Sequence, residues 1–373
     1  MSNFLIITCV HHFVENGKYF AYGPYVREMN LWIEKEGKVK VLAPLIENKS
    51  PDPIDIPYQH SQLTIENVPA FHIQSTAAKW KTIKDLPFIV RTIYQEMRNA
   101  RHIHIRIPGN MGVLAMFIQI LFPSKPKTIK YAGNWDVNSS QPATYKIQRF
   151  IANSTFLTKN AKVLVYGEWP DSSSNILPFF TASYKESEKE PVVKIPLSQK
   201  VKLVFVGAIY AGKNPEIGLR LSKILLDQHI NFEFTYCGDG VLRSQLEQEC
   251  RDLGLENHVK FLGNVNADQI KNILKESHFL IFVSETEGWP KAVAEAMFWG
   301  CVPFTSAVSC VPQMVGGIPA RGVLVSKDPA NIYEKLLPLI QDQKSYDEMS
   351  EAAINWSREF TLEKFQAEIE QLK

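Results

Sequence analysis

A chain of 373 residues is too long to fold around one ordinary hydrophobic core, so two domains of similar size are expected. Its 45% hydrophobic and 21% charged residues exclude a disordered chain and are typical of a soluble globular protein. The longest apolar run, residues 113–122, is about half as long as a membrane-spanning helix, which argues against a transmembrane segment.

The net charge of +2 is unevenly distributed along the chain. Residues 1–198 hold 23 Lys and Arg against 16 Asp and Glu, whereas residues 199–373 hold 18 against 23. A basic front half suits an anionic partner, such as a phospholipid surface or a phosphorylated acceptor, although ordinary surface variation explains it equally well. No nucleic-acid partner is expected.

The chain opens with MSNFLIITCVHHF, which has no basic leader and no small-residue cleavage site. It therefore predicts a buried first strand rather than a signal peptide. A polar loop follows. Pro24 suits the first position of the next helix and Gly37 the residue after its end. The front half then continues as strand, helix, strand, helix and strand over residues 39–44, 86–100, 102–110, 112–122 and 128–133.

The segment 185–200 is charged, punctuated by proline and poor in core residues, which predicts an interdomain linker. Strand and helix alternate again after it. This alternation predicts two α/β halves, each with a parallel sheet covered by helices on both faces. The five cysteines are odd in number and lack C-x-x-C spacing, so reduced thiols are expected and a zinc site is not.

The stretch ETEGWPKAVAEAM, residues 285–297, places two glutamates eight positions apart. Glu287 follows a buried strand and precedes a helix opened by Pro290, so it lies at the carboxyl edge of the sheet, where open α/β sheets bind ligands. Glu295 lies on the second turn of that helix. Five residues of helix rise about 7–8 Å, which is the scale of a nucleotide sugar. An ordinary strand-loop-helix with two solvated acids is the alternative.

The segment EGWPKAVAE resembles the E-x7-E motif of retaining glycosyltransferases of the GT-B fold, family 4 type. The resemblance covers residues 202–306 in order and spacing, through GAIYAGKNP, YCGDG and FLGNV, and extends to the front half only in layout. It implies two Rossmann-like doubly wound domains that face each other across a cleft. The expected divisions are an acceptor-binding domain at 1–195, a sugar-nucleotide domain at 196–355 and a C-terminal helix at 356–373 that packs back on the first domain.

The same resemblance implies roles for single residues. Glu287 would meet hydroxyls of the donor sugar, Glu295 would accept from both ribose hydroxyls, and Lys213 would stabilise charge on the leaving diphosphate without a metal. Ala208 departs from the family, where many members carry an Arg, and so do Ser309 and Cys310. The remaining expected donor-side residues are Gly207, Gly238, Gly240, Gly263, Gly288, Trp289 and Pro290.

On the acceptor side, Arg106 stands where relatives often keep a His, and its guanidinium suits a phosphate or carboxylate. Trp135, with Asn134 at another strand end, offers an indole on which a sugar could stack; half-buried packing is the alternative. Gly23 completes this side. His102 and His104 share a strand face with Arg106, but without a carboxylate or Cys they do not favour a metal site.

The resemblance therefore implies a metal-independent, retaining glycosyltransferase that needs no cofactor. Such an enzyme would move a sugar from a nucleotide sugar to a glycan or lipid-linked glycan in surface polysaccharide biosynthesis. It would be cytoplasmic, at most peripheral on the inner membrane face. Two alternatives stay open. A sugar-nucleotide epimerase on the same architecture would turn over the donor without an acceptor. A non-catalytic partner would bind the sugar nucleotide and regulate another transferase.

Overall fold

A computed structural model describes residues 3–52, 54–70 and 76–373, without the side chains of residues 76–81. The chain divides into two compact units. Unit 1 comprises Met1–Phe180 together with Phe365–Lys373, and unit 2 comprises Thr181–Lys364. Each unit is built around its own parallel sheet, which confirms the predicted α/β class with two Rossmann-like domains.

The main sheet of unit 1 has seven parallel strands over the described residues, in the order β10-β9-β8-β7-β1-β4-β6. A smaller antiparallel sheet has the order β2-β3-β5. The strands are β1 Asn3–Ile7, β2 His12–Glu15, β3 Lys18–Tyr22, β4 Val39–Ala43, β5 Asp55–Pro57, β6 Leu63–Asn67, β7 Ala100–Ile107, β8 Lys127–Tyr131, β9 Ala161–Tyr166 and β10 Ile176–Phe179.

The hairpin of β2 and β3 replaces the polar loop predicted between the first strand and the first helix. Its turn is Asn16-Gly17, and both residues have positive φ, of 51° and 72°. An Asn-Gly pair between short strands is a strong hairpin signal because it accommodates two left-handed residues. The signal was present in the sequence and the loop prediction was wrong.

The helices of unit 1 are α1 Gly23–Ile33, α2 Thr76–Asn99, α3 Asn110–Ile118 and α4 Ala143–Ala152. Of these helices, α1 and α3 begin within two residues of their predicted positions, α2 begins earlier and α4 was not predicted. Helix α1 buries Met29, Trp32 and Ile33, and Pro24 lies in its first turn. Helix α2 starts ten residues before the predicted 86 and continues through Pro87.

Unit 2 holds six parallel strands in the order β13-β12-β11-β14-β15-β16, over the part of the chain that is described. Its strands are β11 Val201–Val206, β12 Phe232–Cys237, β13 Val259–Phe261, β14 Phe279–Phe282, β15 Val302–Thr305 and β16 Val323–Leu324. Its helices are α5 Glu216–Asp227, α6 Arg243–Asp252, α7 Ala267–Glu276, α8 Lys291–Phe298, α9 Val311–Val315, α10 Pro329–Gln341 and α11 Gln343–Ser357.

Strand order places the candidate residues of unit 2. From β11 the chain proceeds outward through β12 and β13, and β14 then begins on the other side of β11. The loops that follow β11 and β14 therefore lie side by side at the carboxyl edge, where the strand order reverses. Such switch points are where doubly wound sheets bind ligands. Unit 1 has the same arrangement between β1 and β7.

The predicted linker packs on unit 2 instead of separating the domains at residue 195. The Tyr184 ring lies 4.7 Å from Phe298 and 5.3 Å from Trp299, measured between centroids. The Lys194 ammonium donates to the last carbonyls of α7, including Leu274 O at 2.9 Å. The boundary between the two compact units therefore lies at Phe180. Composition alone suggested a linker because it does not show that a charged residue such as Lys194 has partners in unit 2.

The last helix, α12 Leu362–Leu372, joins unit 1 from Phe365 onward. The Phe365 ring packs against Phe179 and Phe180 at 5.3 and 5.7 Å. The sequence placed the start of this terminal segment at 356, which lies inside α11. Among the helices in the described ranges, none is both long and apolar enough to cross a bilayer.

Candidate active site

Lys213 lies in the loop after β11, at the end of a 3-10 turn over Ala211–Lys213. Asn214 follows in a left-handed conformation, and its side-chain amide donates to Val283 O at 2.8 Å. The Glu285 N–H donates to Gly212 O at 2.9 Å. These two bonds hold the loop after β11 against the loop after β14, so Lys213 is brought to Glu287 by the backbone of both loops.

Lys213 and Glu287 form an ion pair through Nζ and Oε1. Both side chains are mostly buried, at 14% and 11% exposed. The Lys213 ammonium also lies 4.7 Å from the centroid of Phe282, the last residue of β14. The cation and the carboxylate predicted at separate positions 74 residues apart are therefore direct neighbours in a partly desolvated place, where charge interactions are stronger than in water.

The residues after Glu287 form the corner that leads into α8. Gly288 O accepts from Ser309 Oγ at 3.0 Å and from Cys310 Sγ at 3.5 Å. Ser309 and Cys310 are two of the positions at which the chain departs from the family pattern, and here they hold the corner in place. Trp289 packs its ring 5.6 Å from Phe360, and Pro290 precedes the first helical residue rather than occupying it.

Glu295 lies on the second turn of α8, whose buried face is formed by Val293, Ala296 and Met297. Its Oε1 accepts a hydrogen bond of 2.5 Å from Ser183 Oγ, in the segment that the sequence assigned to the first domain. Burial, and then the charge of Glu295, raise the pKa of the adjacent Tyr184. Sequence reasoning did not find Ser183, because nothing local signals a partner 112 residues away.

The predicted glycines bring three strand-end loops into close backbone contact. Gly238 N–H donates to Gly263 O at 2.8 Å, and Gly207 N–H donates to Cys237 O at 2.9 Å. A Cβ at Gly240 would lie 2.3 Å from Ile209 O, and one at Gly263 would meet the Arg243 guanidinium at 2.7 Å. At Gly240 and Gly263 any larger residue would force the neighbouring atoms to move. Close packing of the loops therefore explains these glycines, whether or not they contact a ligand.

Gly238→Ala is expected to destabilise unit 2 by about 3 kcal/mol or more, since two costs combine. The residue has φ +146°, and a Cβ would lie 1.9 Å from Gly207 O. The matched control is Gly254→Ala, where φ is +69° but no atom lies within 4 Å of the added carbon. There we expect only about 1 kcal/mol of backbone strain. Urea unfolding measures both, and equal losses would contradict the close approach.

Arg243 brings another cation to this edge, which the sequence did not suggest. Its guanidinium binds Asp239 at 2.9 Å and Glu247 at 2.7 Å. The two carboxylates offset its charge, so it does not simply replace the Arg missing at Ala208. Among the described residues, no group of three or more His, Cys, Asp or Glu is arranged to hold a metal ion.

In unit 1, Arg106 lies near the carboxyl end of β7, and one of its guanidinium nitrogens faces a carboxylate of the same unit. Its Nη1 lies 3.6 Å from the Glu28 carboxylate, and its guanidinium lies 5.2 Å from the Tyr25 ring centroid. Burial by itself lowers the pKa of Arg106, but Glu28 and the nearby tyrosines hold it above the ordinary value. The sequence suggested an Arg106 guanidinium with no charged partner in the protein. That expectation is corrected, because Glu28 on α1 supplies a carboxylate from within the same unit.

Arg106→Met is expected to cost about 3 kcal/mol of stability, because the Glu28 side chain, only 5% exposed, then loses its cation. Adding Glu28→Gln should recover much of that loss. The control is Arg101→Met. Its partner Glu36 is as buried as Glu28 but keeps a second cation, Lys373 at 3.2 Å, and Arg101 is 64% exposed, so the loss should be no more than about 1 kcal/mol. Thermal and urea unfolding test this, and a stable Arg106→Met would contradict a structural ion pair.

Trp135 does not offer a sugar platform. Its side chain is 3% exposed and meets Tyr131 edge-on at 4.8 Å, inside the core of unit 1. Asn134 is also buried, and its side chain accepts from the Asp136 N–H at 2.9 Å. At Gly23, an added Cβ would lie 2.4 Å from Ile54 O, so a close backbone approach accounts for that glycine.

His102 and His104 share one partner, the Thr128 hydroxyl on β8, each at 2.9 Å. Burial lowers the pKa of His102 to about 4 and lowers that of His104 as well. Both rings are therefore neutral near neutral pH. Their contacts are those of core histidines that pack between β1 and β8.

Part of unit 2 matches a known protein family. Residues 186–356, within unit 2, match the family model described as Glycosyl transferases group 1. An uncharacterised glycosyltransferase of Methanocaldococcus jannaschii, MJ1607, is 30% identical over 30% of this chain and 29% of its own length. An α-1,4-N-acetyl-D-galactosaminyltransferase of Campylobacter jejuni, whose name gives a diNAcBac-PP-undecaprenol glycan as its substrate, is 27% identical over 39% of each chain. The chain thus spans well under half the length of these curated relatives.

Solved structures are similar over nearly the whole chain. Sucrose-phosphate synthase from Thermosynechococcus elongatus has a TM-score of 0.68 at 15% identity, covering 100% of this chain and 98% of its own. Anabaena HepE in complex with UDP and glucose has a TM-score of 0.65 at 13% identity, covering 98% of each. The chain has the GT-B fold of glycosyltransferases. Within it, residues 186–356 are a glycosyltransferase group 1 domain.

Proposed function

We propose that this chain is a retaining, metal-independent glycosyltransferase that moves a sugar from a nucleotide-sugar donor to a glycan or lipid-linked glycan. The observation that carries the proposal is the contact between Lys213 and Glu287 in a glycosyltransferase group 1 domain. In a nucleotide sugar, the sugar carbon that reacts is bonded directly to the diphosphate. A residue for the diphosphate and a residue for the sugar must therefore be neighbours, as these two are.

Each residue then has a defined task. Lys213 stabilises the negative charge that grows on the diphosphate as it leaves. Glu287 accepts hydrogen bonds from donor-sugar hydroxyls, and Glu295, further along α8, accepts from the ribose hydroxyls. Ser183 positions the Glu295 carboxylate through its 2.5 Å bond. The donor groups are proposed to follow one another as sugar, diphosphate and ribose. The loops after β14 and β11 bind the first two, and α8 binds the ribose.

In the proposed reaction, the bond from the anomeric carbon to the diphosphate oxygen breaks, and the diphosphate leaves with the electron pair. The acceptor hydroxyl forms its bond to the same carbon from the same face. Its proton passes to a diphosphate oxygen, so no further base is needed. Retention and independence from metal are parts of the proposal that stereochemical analysis of the product, and assays in the presence of a chelator, test directly.

Unit 1 is proposed to bind the acceptor. The excess of Lys and Arg in the first half of the chain supports an anionic acceptor, such as a lipid diphosphate-linked glycan. The Campylobacter relative's lipid-linked substrate supports the same class. We place the activity in surface polysaccharide biosynthesis, at the cytoplasmic face of the inner membrane.

A thermal-shift screen over UDP-, GDP- and dTDP-sugars tests donor binding, since a ligand stabilises the fold that binds it. The stabilising donor, radiolabelled in its sugar, is then incubated with undecaprenyl diphosphate-linked glycans. Transfer of label to the lipid supports the proposal. Conversion of the donor without any acceptor would instead identify an epimerase, and binding without turnover a regulatory partner. No stabilisation by any nucleotide sugar would overturn the donor site.

A further inference from the structure

Tyr210 is an exposed aromatic residue in the loop after β11, the loop that also carries Lys213. It is 42% exposed, whereas the aromatic residues near the ends of the neighbouring strands, Phe205, Tyr236 and Phe282, are at most 3% exposed. Among the exposed large hydrophobic residues in the described part of unit 2, Tyr210 is the only aromatic one. A single exposed hydrophobic residue is ordinary on a protein surface, so the position of this ring decides what it can do.

The ring has a defined place beside Lys213. The Lys213 N–H donates to Tyr210 O at 3.0 Å, which closes a tight turn and keeps the two Cα atoms within about 7 Å. The ring lies over Gly212, where an added Cβ would be 2.8 Å from the ring carbon Cε2. Gly212 O in turn accepts from the Glu285 N–H at 2.9 Å. Within the residues that the structure describes, the Tyr210 side chain forms no hydrogen bond and meets no other ring, so the ring face away from Gly212 is open to a ligand.

The turn from Tyr210 to Lys213 joins two neighbouring loops. Just before it, the Ile209 N–H donates to Asp239 O at 2.9 Å, in the loop after β12. At its end, the Lys213 ammonium pairs with Glu287 in the loop after β14. Tyr210 therefore lies on the β12 side of Lys213, and Glu287 lies on the β14 side. A donor sugar held by Glu287 extends away from Tyr210 and leaves its ring uncovered.

The proposed reaction places the acceptor next to this ring. The acceptor hydroxyl attacks from the face that the diphosphate leaves and passes its proton to a diphosphate oxygen, so the acceptor must lie beside the diphosphate. The donor sugar occupies the Glu287 side of Lys213, which leaves the Tyr210 side. The sugar rings of a glycan present a face of C–H groups, and a flat aromatic ring with a polar tip packs against such a face while the hydroxyls at the sugar's edge remain solvated.

We propose that Tyr210 determines acceptor specificity, and that its ring stacks against the acceptor sugar that carries the attacking hydroxyl. This contact rests on the proposed function and deepens it, because it selects a cyclic sugar over an acyclic alcohol as the acceptor. It also supplies in unit 2 the aromatic surface that the sequence placed at Trp135, which the core of unit 1 encloses.

Transfer kinetics test the contact, with the undecaprenyl diphosphate-linked glycan varied at saturating donor. Tyr210→Ala is expected to raise KM for this acceptor by about tenfold or more, because the stacking surface is lost. Tyr210→Phe keeps the ring and should retain nearly the wild-type KM. Tyr210→Leu keeps apolar area without a flat face and should restore little. Titration calorimetry with the nucleoside diphosphate of the donor should give the wild-type Kd for all three variants, and thermal unfolding the wild-type Tm.

The matched control is Tyr94→Ala. Tyr94 is 40% exposed on α2, which leads into the start of β7 and therefore to the amino-terminal edge of its sheet. The control should transfer like the wild type, and an equal rise in KM there would overturn a local contact at Tyr210.

Three further outcomes would reject the acceptor contact. A wild-type KM in Tyr210→Ala would overturn it directly. Weaker binding of the nucleoside diphosphate by Tyr210→Ala would assign the ring to the donor instead. Absence of transfer by the wild type would overturn the proposed function and the Tyr210 contact together, which distinguishes that failure from a failure of the contact alone.

Discussion

Lys213→Met is expected to lower kcat of sugar transfer by about 100- to 1000-fold while changing KM for the donor much less. The reason is that negative charge on the diphosphate grows as the transition state forms, so the lost interaction is differential. Lys213 is 14% exposed, so its interaction with a bound diphosphate is only weakly screened by water. Steady-state kinetics with varied donor concentration measures both constants.

The ion pair with Glu287 requires a second variant, because Lys213→Met alone leaves a mostly buried carboxylate without its cation. Lys213→Met combined with Glu287→Gln removes both charges. If the double variant recovered kcat, Lys213 would serve only to neutralise Glu287. The control is Lys202→Met on β11, the strand that precedes the Lys213 loop. Its partner Glu276 is 68% exposed, and the change should leave both constants unchanged. A pure rise in KM would make Lys213 a uniform binding residue.

Glu295→Ala is expected to weaken binding of the nucleoside diphosphate by about 1.5–3 kcal/mol, the range of a hydrogen bond to a charged group. Helix α8 holds this carboxylate at a fixed place, and Ser183 orients it. Ser183→Ala should lose less binding free energy. It removes only the hydrogen bond that orients Glu295 and leaves the carboxylate that accepts from the ribose hydroxyls. Isothermal titration calorimetry on the wild type and both variants measures these losses.

A ligand change makes this test specific for the ribose. The wild type should bind a 2′-deoxynucleotide more weakly than the ribonucleotide, whereas Glu295→Ala should bind both alike. Such a cycle isolates the contact between the carboxylate and the hydroxyl from any general damage. If Glu295→Ala still distinguished the two nucleotides as the wild type does, Glu295 would not contact the ribose.

The strands of unit 2 and β1, β4, β7 and β8 of unit 1 followed from local sequence patterns, whereas β5, β6, β9, β10 and α4 were not predicted. Buried strands such as β1 and β11, and the helix opened by Pro290, were predicted because apolar runs and helix punctuation depend on neighbouring residues only. The carboxyl-edge positions of Lys213 and Glu287 also followed, since residues after parallel strands must lie at one edge. The hairpin at Asn16 was equally local, and its signal was overlooked.

The sequence by itself therefore determined two α/β halves and the chemical types that gather at the edge of the second. Only the tertiary structure decided which of those side chains are available. Lys213 meets Glu287 because β11 and β14 are neighbours in the sheet. Ser183 meets Glu295 because the segment after Phe180 packs on unit 2. Packing enclosed Trp135 in the core and set Glu28 beside the cation of β7. Periodicity specifies which face a residue takes on its own element, whereas burial and pairing depend on which distant element packs against that face.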